Sequence, residues 1–186
     1  MNNNQTFEIS NYLWETGDYK PKTTVELSYD ENGFKVHFAS NETNLRQEQT
    51  EHNTDIYLDS CVEMFVQFLP DTDDRYINFE INPNAAVHCG IGPDRYERKF
   101  YDISAIERLN CHTTIRDDGW DVYFEIPLSF IHIEYPEYIH KSGTVIRANF
   151  YKCGNKTVHP HWCSWNKVET PNRDFHRPEY FKEIVL

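Results

Sequence analysis

Glu63 and Glu80 are the residues whose type and setting most invite chemistry. Each sits in a short run where apolar and polar side chains alternate. A carboxyl pair can protonate a glycosidic oxygen with one member and supply a base or nucleophile with the other. The same pair in a cleft can simply accept hydrogen bonds from sugar hydroxyls, and binding is the favoured reading. A hydrolase needs a raised-pKa acid beside an ionised partner, which no sequence displays. His159, His161 and Cys163 also alternate, so on a strand they share one side and could seat zinc or copper. Lacking a fourth ligand, they are expected to form a hydrogen-bonded cluster. A haem- or metal-binding sandwich would need an axial Met/His pair, and the methionines are Met1 and Met64, the latter on an apolar side. The chain has no Gly-rich phosphate loop, nucleophile elbow, H-E-x-x-H or Rossmann fingerprint.

The elements that must position these groups read as strand after strand. Residues 24–29 and 34–39 flank Asp30-Glu31-Asn32-Gly33, a hairpin signal. A polar loop over 40–55 follows. Further strands are predicted over 61–69, 76–81, 85–89, 110–116, 120–126 and 144–151. Asp117-Asp118-Gly119 makes a second tight turn, and Pro127 closes its strand. Only residues 128–140 suggest a helical turn. The expected fold is all-β: an antiparallel, jelly-roll-like β-sandwich with long loops and little helix, one domain over 1–186.

Alternation divides three strands into an apolar and a polar face. Val62, Met64, Val66 and Phe68 oppose Glu63 and Gln67. Ile77, Phe79 and Ile81 oppose Asn78, Glu80 and Asn82, and Ile146, Ala148 and Phe150 oppose Arg147, Asn149 and Tyr151. Amides, carboxylates and guanidinium together suit a polyhydroxylated ligand, because each hydroxyl both donates and accepts. Trp14 and Trp120 are expected in the core. Trp162 and Trp165, three apart on a strand, face opposite ways, and Trp165 is assigned to the ligand.

As a set, several segments resemble carbohydrate-binding module family 9 and its family 9-like relatives. They are Tyr57-Leu58-Asp59-Ser60-Cys61-Val62-Glu63-Met64-Phe65-Val66, Tyr76-Ile77-Asn78-Phe79-Glu80-Ile81-Asn82, Gly90-Ile91-Gly92-Pro93-Asp94-Arg95, residues 120–127, Asn149-Phe150-Tyr151-Lys152-Cys153-Gly154, His161-Trp162-Cys163-Ser164-Trp165 and residues 174–181. The resemblance, in the family's order over residues 12–186, implies a non-catalytic β-sandwich that binds an oligo- or polysaccharide by clamping one sugar between two rings. Tyr57 and Trp165 correspond to those rings, and Glu63 to a hydroxyl acceptor. Alternation adds Asn78 and Glu80; Arg95, Arg147, Asn149 and His161 complete the candidates. Tyr57 replaces the tryptophan of well-studied binders, Trp162 stands where they carry a polar group, and a strict preference for cellulose or xylan ends is not carried over. His176 is expected to anchor a loop. The family's structural calcium directs attention to Asp71-Thr72-Asp73-Asp74, which has suitable oxygens but not the spacing of a dedicated loop; a solvated turn is expected.

Bulk properties agree. In 186 residues, 15% are aromatic, a density that suits both strands and stacking ligands. A net charge of −12 repels phosphates and anionic lipid, so neither nucleic acid nor membrane is an expected partner. Five cysteines without a C-x-x-C unit read as reduced core thiols. No basic start or apolar leader is visible, which points to the cytoplasm; a chain trimmed of its leader, and so extracellular or periplasmic, would read the same.

Overall fold

The computed structural model describes residues 4–186. In chain order the strands are β1 (Asn4–Ile9), β2 (Asn11–Tyr12), β3 (Thr23–Asp30), β4 (Gly33–Ser40), β5 (Ser60–Gln67), β6 (Tyr76–Ile81), β7 (Val87–Gly92), β8 (Lys99–Phe100), β9 (His112–Arg116), β10 (Gly119–Pro127), β11 (Val145–Gly154), β12 (Trp162–Ser164) and β13 (Lys182–Val185). Two short helices, α1 (Ile103–Glu107) and α2 (Leu128–Ile131), and two single 3-10 turns complete the elements. None of these helices is long and apolar enough to cross a membrane.

The strands form two antiparallel sheets. A five-stranded sheet runs β1-β3-β4-β10-β9, and an eight-stranded sheet runs β2-β12-β11-β5-β6-β7-β8, with β13 also pairing β11. Both sequence-read hairpins exist as two-residue loops, pairing Asp30 with Gly33 and Arg116 with Gly119. Gly33 is required where it stands: its φ is +138°, and a Cβ there would lie 2.2 Å from the Ile126 carbonyl oxygen. Pro127 ends β10, as read from the sequence, whereas β7 begins two residues later than predicted.

The alternation places the core between the sheets. Val62, Met64 and Val66 of β5, Ile77, Phe79 and Ile81 of β6 and Ile146, Ala148 and Phe150 of β11 meet Val36 and Phe38 of β4 and Val122, Phe124 and Ile126 of β10. Phe79 meets Phe124 at 5.6 Å and Phe38 meets Phe150 at 6.1 Å, contacts that bridge the two layers. Trp120 is in this core, as expected.

The other face of the eight-stranded sheet is covered as well. Every residue of β5 and β6 is buried. The segment between β12 and β13 crosses this face with little regular structure, so its polar groups bond downward into the sheet. Asn149 takes both backbone polar groups of Asn166, donating to its carbonyl and accepting from its N–H, each at 2.9 Å. Tyr151 stacks on Phe175 at 4.2 Å, and Tyr76 Oη meets His176 Nδ1 at 2.8 Å. His176 thus anchors the segment, as expected. The 40–55 loop is tied down by Asp59, whose Oδ2 accepts the N–H groups of Glu48 and Gln49 at 2.8 Å each.

Candidate functional site

Where this covering segment stops short of closing the face, a cleft of about 300 Å³ remains. Its floor comes from the outward positions of paired strands. Glu63 of β5 and Glu80 of β6 stand in register across the ladder, His88 of β7 is opposite Glu80, and Cys153 of β11 is opposite Cys61. Its walls are Tyr57 on the 3-10 turn before β5, Trp162 on β12, Trp14 after β2 and Phe175 of the covering segment. Arg95, Arg98 and Arg173 stand around it.

Local chemistry fixes these groups. Trp162 donates its indole N–H to Asn155 Oδ1 at 2.6 Å, and Asn155 donates its backbone N–H to the Tyr57 carbonyl at 3.4 Å. The Arg173 guanidinium lies 4.3 Å from the Trp162 ring centroid. Trp14 has φ +51°, an unfavourable conformation for a bulky residue, and its Nε1 donates to the Thr170 carbonyl at 2.9 Å. Held backbone strain of this kind concentrates at binding sites.

Two buried carboxyls facing each other set the electrostatics. Burial above all, then Cys153 and Glu80, holds the Glu63 carboxyl well above the usual carboxylate range. Glu63 also accepts a hydrogen bond from the Cys153 thiol at 3.0 Å. Burial raises Glu80 too, against His88, a 2.9 Å hydrogen bond from Asn78 and the guanidinium groups of Arg98 and Arg95. Arg98 is itself largely buried, donating to Asn78 Oδ1 and to the Gly90 carbonyl and lying 4.5 Å from the Tyr76 ring centroid. Burial lowers its affinity for the proton. The cleft therefore offers acceptors and donors side by side below aromatic walls.

Of the sequence-derived candidates, Tyr57, Glu63, Glu80 and Arg95 come together at the cleft. Arg95 is on its edge, paired with Asp174 at 3.3 Å. Asn78 lies beneath, fully buried, and acts on the cleft through Glu80 and Arg98. The remaining four lie elsewhere. Trp165 shares the inward face of Cys163 and packs on Phe7 at 4.6 Å and Phe150 at 5.6 Å, so the alternation was right and the assignment of faces reversed. Asn149 is spent on Asn166. Arg147 donates to the Phe181 carbonyl at 3.1 Å and borders a separate hollow beside Asp71–Asp74. His161 is sealed inside, its Nε2 2.9 Å from Lys152 Nζ and its Nδ1 2.8 Å from the His159 carbonyl. With both ring nitrogens engaged and Cys163 turned into the core, the trio 159, 161 and 163 forms no metal cage.

Trp14, expected in the core, lines the cleft instead. Sequence reading also missed Trp162, Arg98, Asn155, Arg173 and Phe175. The two other metal alternatives meet specific obstacles. Asp73 commits both carboxylate oxygens to Arg75, at 2.7 to 3.1 Å, and so does not fit calcium while that pair holds. Met64 is fully buried between the sheets, and Met1 lies outside the described residues.

Two antiparallel sheets packed face to face, with a ring-walled, carboxyl-floored cleft on the outer side of one, define a β-sandwich binding module. The whole chain, residues 1–186, matches the sequence model of carbohydrate-binding family 9, and it belongs to that family. Among solved structures, a Bacteroides uniformis protein provisionally described as carbohydrate-binding is 24% identical, with a TM-score of 0.85 over 97% of this chain and 85% of that one. A family 9 module of Caldicellulosiruptor kristjanssonii in complex with cellotriose has a TM-score of 0.68 at 16% identity, covering 97% and 81%. The structure of such a module with glucose gives 0.66 at 16% identity, covering 96% and 82%. No curated protein matches the chain.

Proposed function

We propose that the cleft binds a glucose-containing oligo- or polysaccharide without transforming it. Tyr57 is 37% exposed and presents the stacking ring, while Trp14 and Trp162 complete the aromatic wall. Pyranose C–H faces are apolar and rest on such rings, leaving the hydroxyls to Glu63, Glu80, His88, Arg95 and Asn155. The cleft is at the small end of ligand pockets, which suits one sugar ring and part of its neighbour. The observation that carries this reading is the convergence of aromatic rings and the Glu63–Glu80 pair in one cleft of a family 9 chain. The Caldicellulosiruptor complexes make cello-oligosaccharides the first ligands to try.

The carboxyl pair invites comparison with a glycoside hydrolase. That chemistry needs both carboxyls free to flank a scissile bond, whereas Glu63 is engaged by the Cys153 thiol at 3.0 Å and Glu80 by the Asn78 amide at 2.9 Å. Calorimetric titration of cellotriose into the protein, followed by chromatography of the recovered sugar, tests the proposal. Saturable binding with intact cellotriose is expected. Glucose and cellobiose accumulating with wild type and absent with Glu63→Gln would overturn the non-catalytic reading, and no binding across a β-glucan panel would overturn the site.

A further inference from the structure

Under the cleft floor, β5 and β11 bring two cysteines face to face. Cys61 pairs in register with Cys153, and Glu63 lies two residues along from Cys61 on the same side. The two thiols and one Glu63 carboxyl oxygen all lie within 4.8 Å of one another, and among the described residues no other trio of His, Cys, Asp or Glu converges in this way. All five cysteines are unpaired, so neither thiol is spent in a disulfide. Cys61 is closed off, but Cys153 and Glu63 both border the cleft, so the trio has one open side.

We propose that Cys61, Cys153 and Glu63 bind one thiophilic divalent cation of the zinc class. Two thiolates and a carboxylate are a donor set that such ions take. A tetrahedral site with Zn–S of about 2.3 Å and Zn–O of about 2.0–2.2 Å has edges of about 3.5–3.8 Å, within the span observed. Three ligands leave a fourth position, and the open side directs it to the cleft, where water or a ligand hydroxyl can fill it. Loading the ion expels the two thiol protons and the carboxyl proton to solvent, since the bound ligands are deprotonated. Fixed on two adjacent strands, the ligands need no loop rearrangement.

The test uses the full, reduced chain and Cd²⁺, whose thiolate complexes absorb in the ultraviolet by charge transfer. One equivalent is expected to saturate the band, and Zn²⁺ to remove it by competition. Cys61→Ser and Cys153→Ser should each abolish the one-equivalent band, whereas Cys111→Ser and Cys163→Ser, whose thiols lie outside the trio, should retain it. Glu63→Gln keeps both thiols and should weaken cadmium binding tenfold or more. Each variant is first shown to unfold cooperatively. No band in the wild type, a band that persists in folded Cys153→Ser, or unchanged affinity in Glu63→Gln would overturn the site. None of these readings requires sugar, so the cation site stands or falls apart from the binding reading.

Discussion

Glu63 and Glu80 face each other across paired strands, yet their surroundings differ. Like charges directly opposite in a ladder destabilise it. Glu63 has mainly the Cys153 thiol beside it, whereas Glu80 has Asn78, His88 and two guanidinium groups drawing it toward the ionised form.

The two amides should therefore act in opposite directions. In metal-free protein at pH 8, Glu63→Gln relieves the repulsion and still accepts from Cys153. It is expected to leave stability unchanged or raise it by up to about 1 kcal/mol. Glu80→Gln removes the negative charge beside largely buried Arg98 and is expected to lower stability by about 1–3 kcal/mol. Urea unfolding of both variants measures the difference. A Glu63→Gln chain less stable than Glu80→Gln would contradict this picture.

Tyr57→Ala and Trp165→Ala separate stacking from packing. Tyr57 is partly exposed, so truncating it should cost roughly tenfold or more in cellotriose affinity, equivalent to about 1.4 kcal/mol, with little change in Tm. Trp165 packs between Phe7 and Phe150. Its loss should cost about 3 kcal/mol of stability, the lower end for large aromatic deletions, while the folded fraction keeps its affinity. Calorimetry and thermal unfolding together decide it.

These residues show how far the sequence could be read. Alternation in β5, β6 and β11 correctly separated Val62 from Glu63, Ile77 from Asn78 and Phe150 from Asn149. It also put Trp162 and Trp165 on opposite faces. It could not say which face is the inter-sheet core, because both rings are apolar and β12 is only three residues long. The polar face of the large sheet was expected to meet the ligand, but much of it lies under the segment between β12 and β13. That segment has no period to betray it. Alternation therefore reads Asn149 and Arg147 as ligand groups, whereas in the fold they hold the cover in place. Arg98 and Trp14, in stretches without long strands, gave no signal either.

Asn149 gives a direct measure of that cover. Asn149→Ala leaves the backbone N–H and carbonyl of Asn166 without their partner and should cost about 1–3 kcal/mol. Limited proteolysis should then cut first between residues 166 and 180, in the variant and not in the wild type. Resistance equal to wild type would show that the aromatic contacts alone suffice.

Acid should weaken the protein through His161. Burial, then Lys152, lowers this histidine to about 4; the groups around it are Lys152, Glu42, His159 and Tyr19. A histidine depressed in the folded state stabilises fully above its ordinary value of 6.5, and that contribution is lost as pH falls through about 4. His161→Gln, neutral at every pH, should flatten the unfolding free energy between those limits. His176, also depressed by burial, retains its own share, so the slope shrinks without vanishing. An unaltered slope would refute the assignment.

Asn155 joins the two aromatic side walls at one point, its backbone to the Tyr57 carbonyl and its side chain to the Trp162 indole. The spacing between phenol and indole is thus set jointly by this one residue and by β12, whose pairing with β11 carries the indole. Exchanging Asn155 would therefore release both rings at once while leaving the strand pairing beneath them in place.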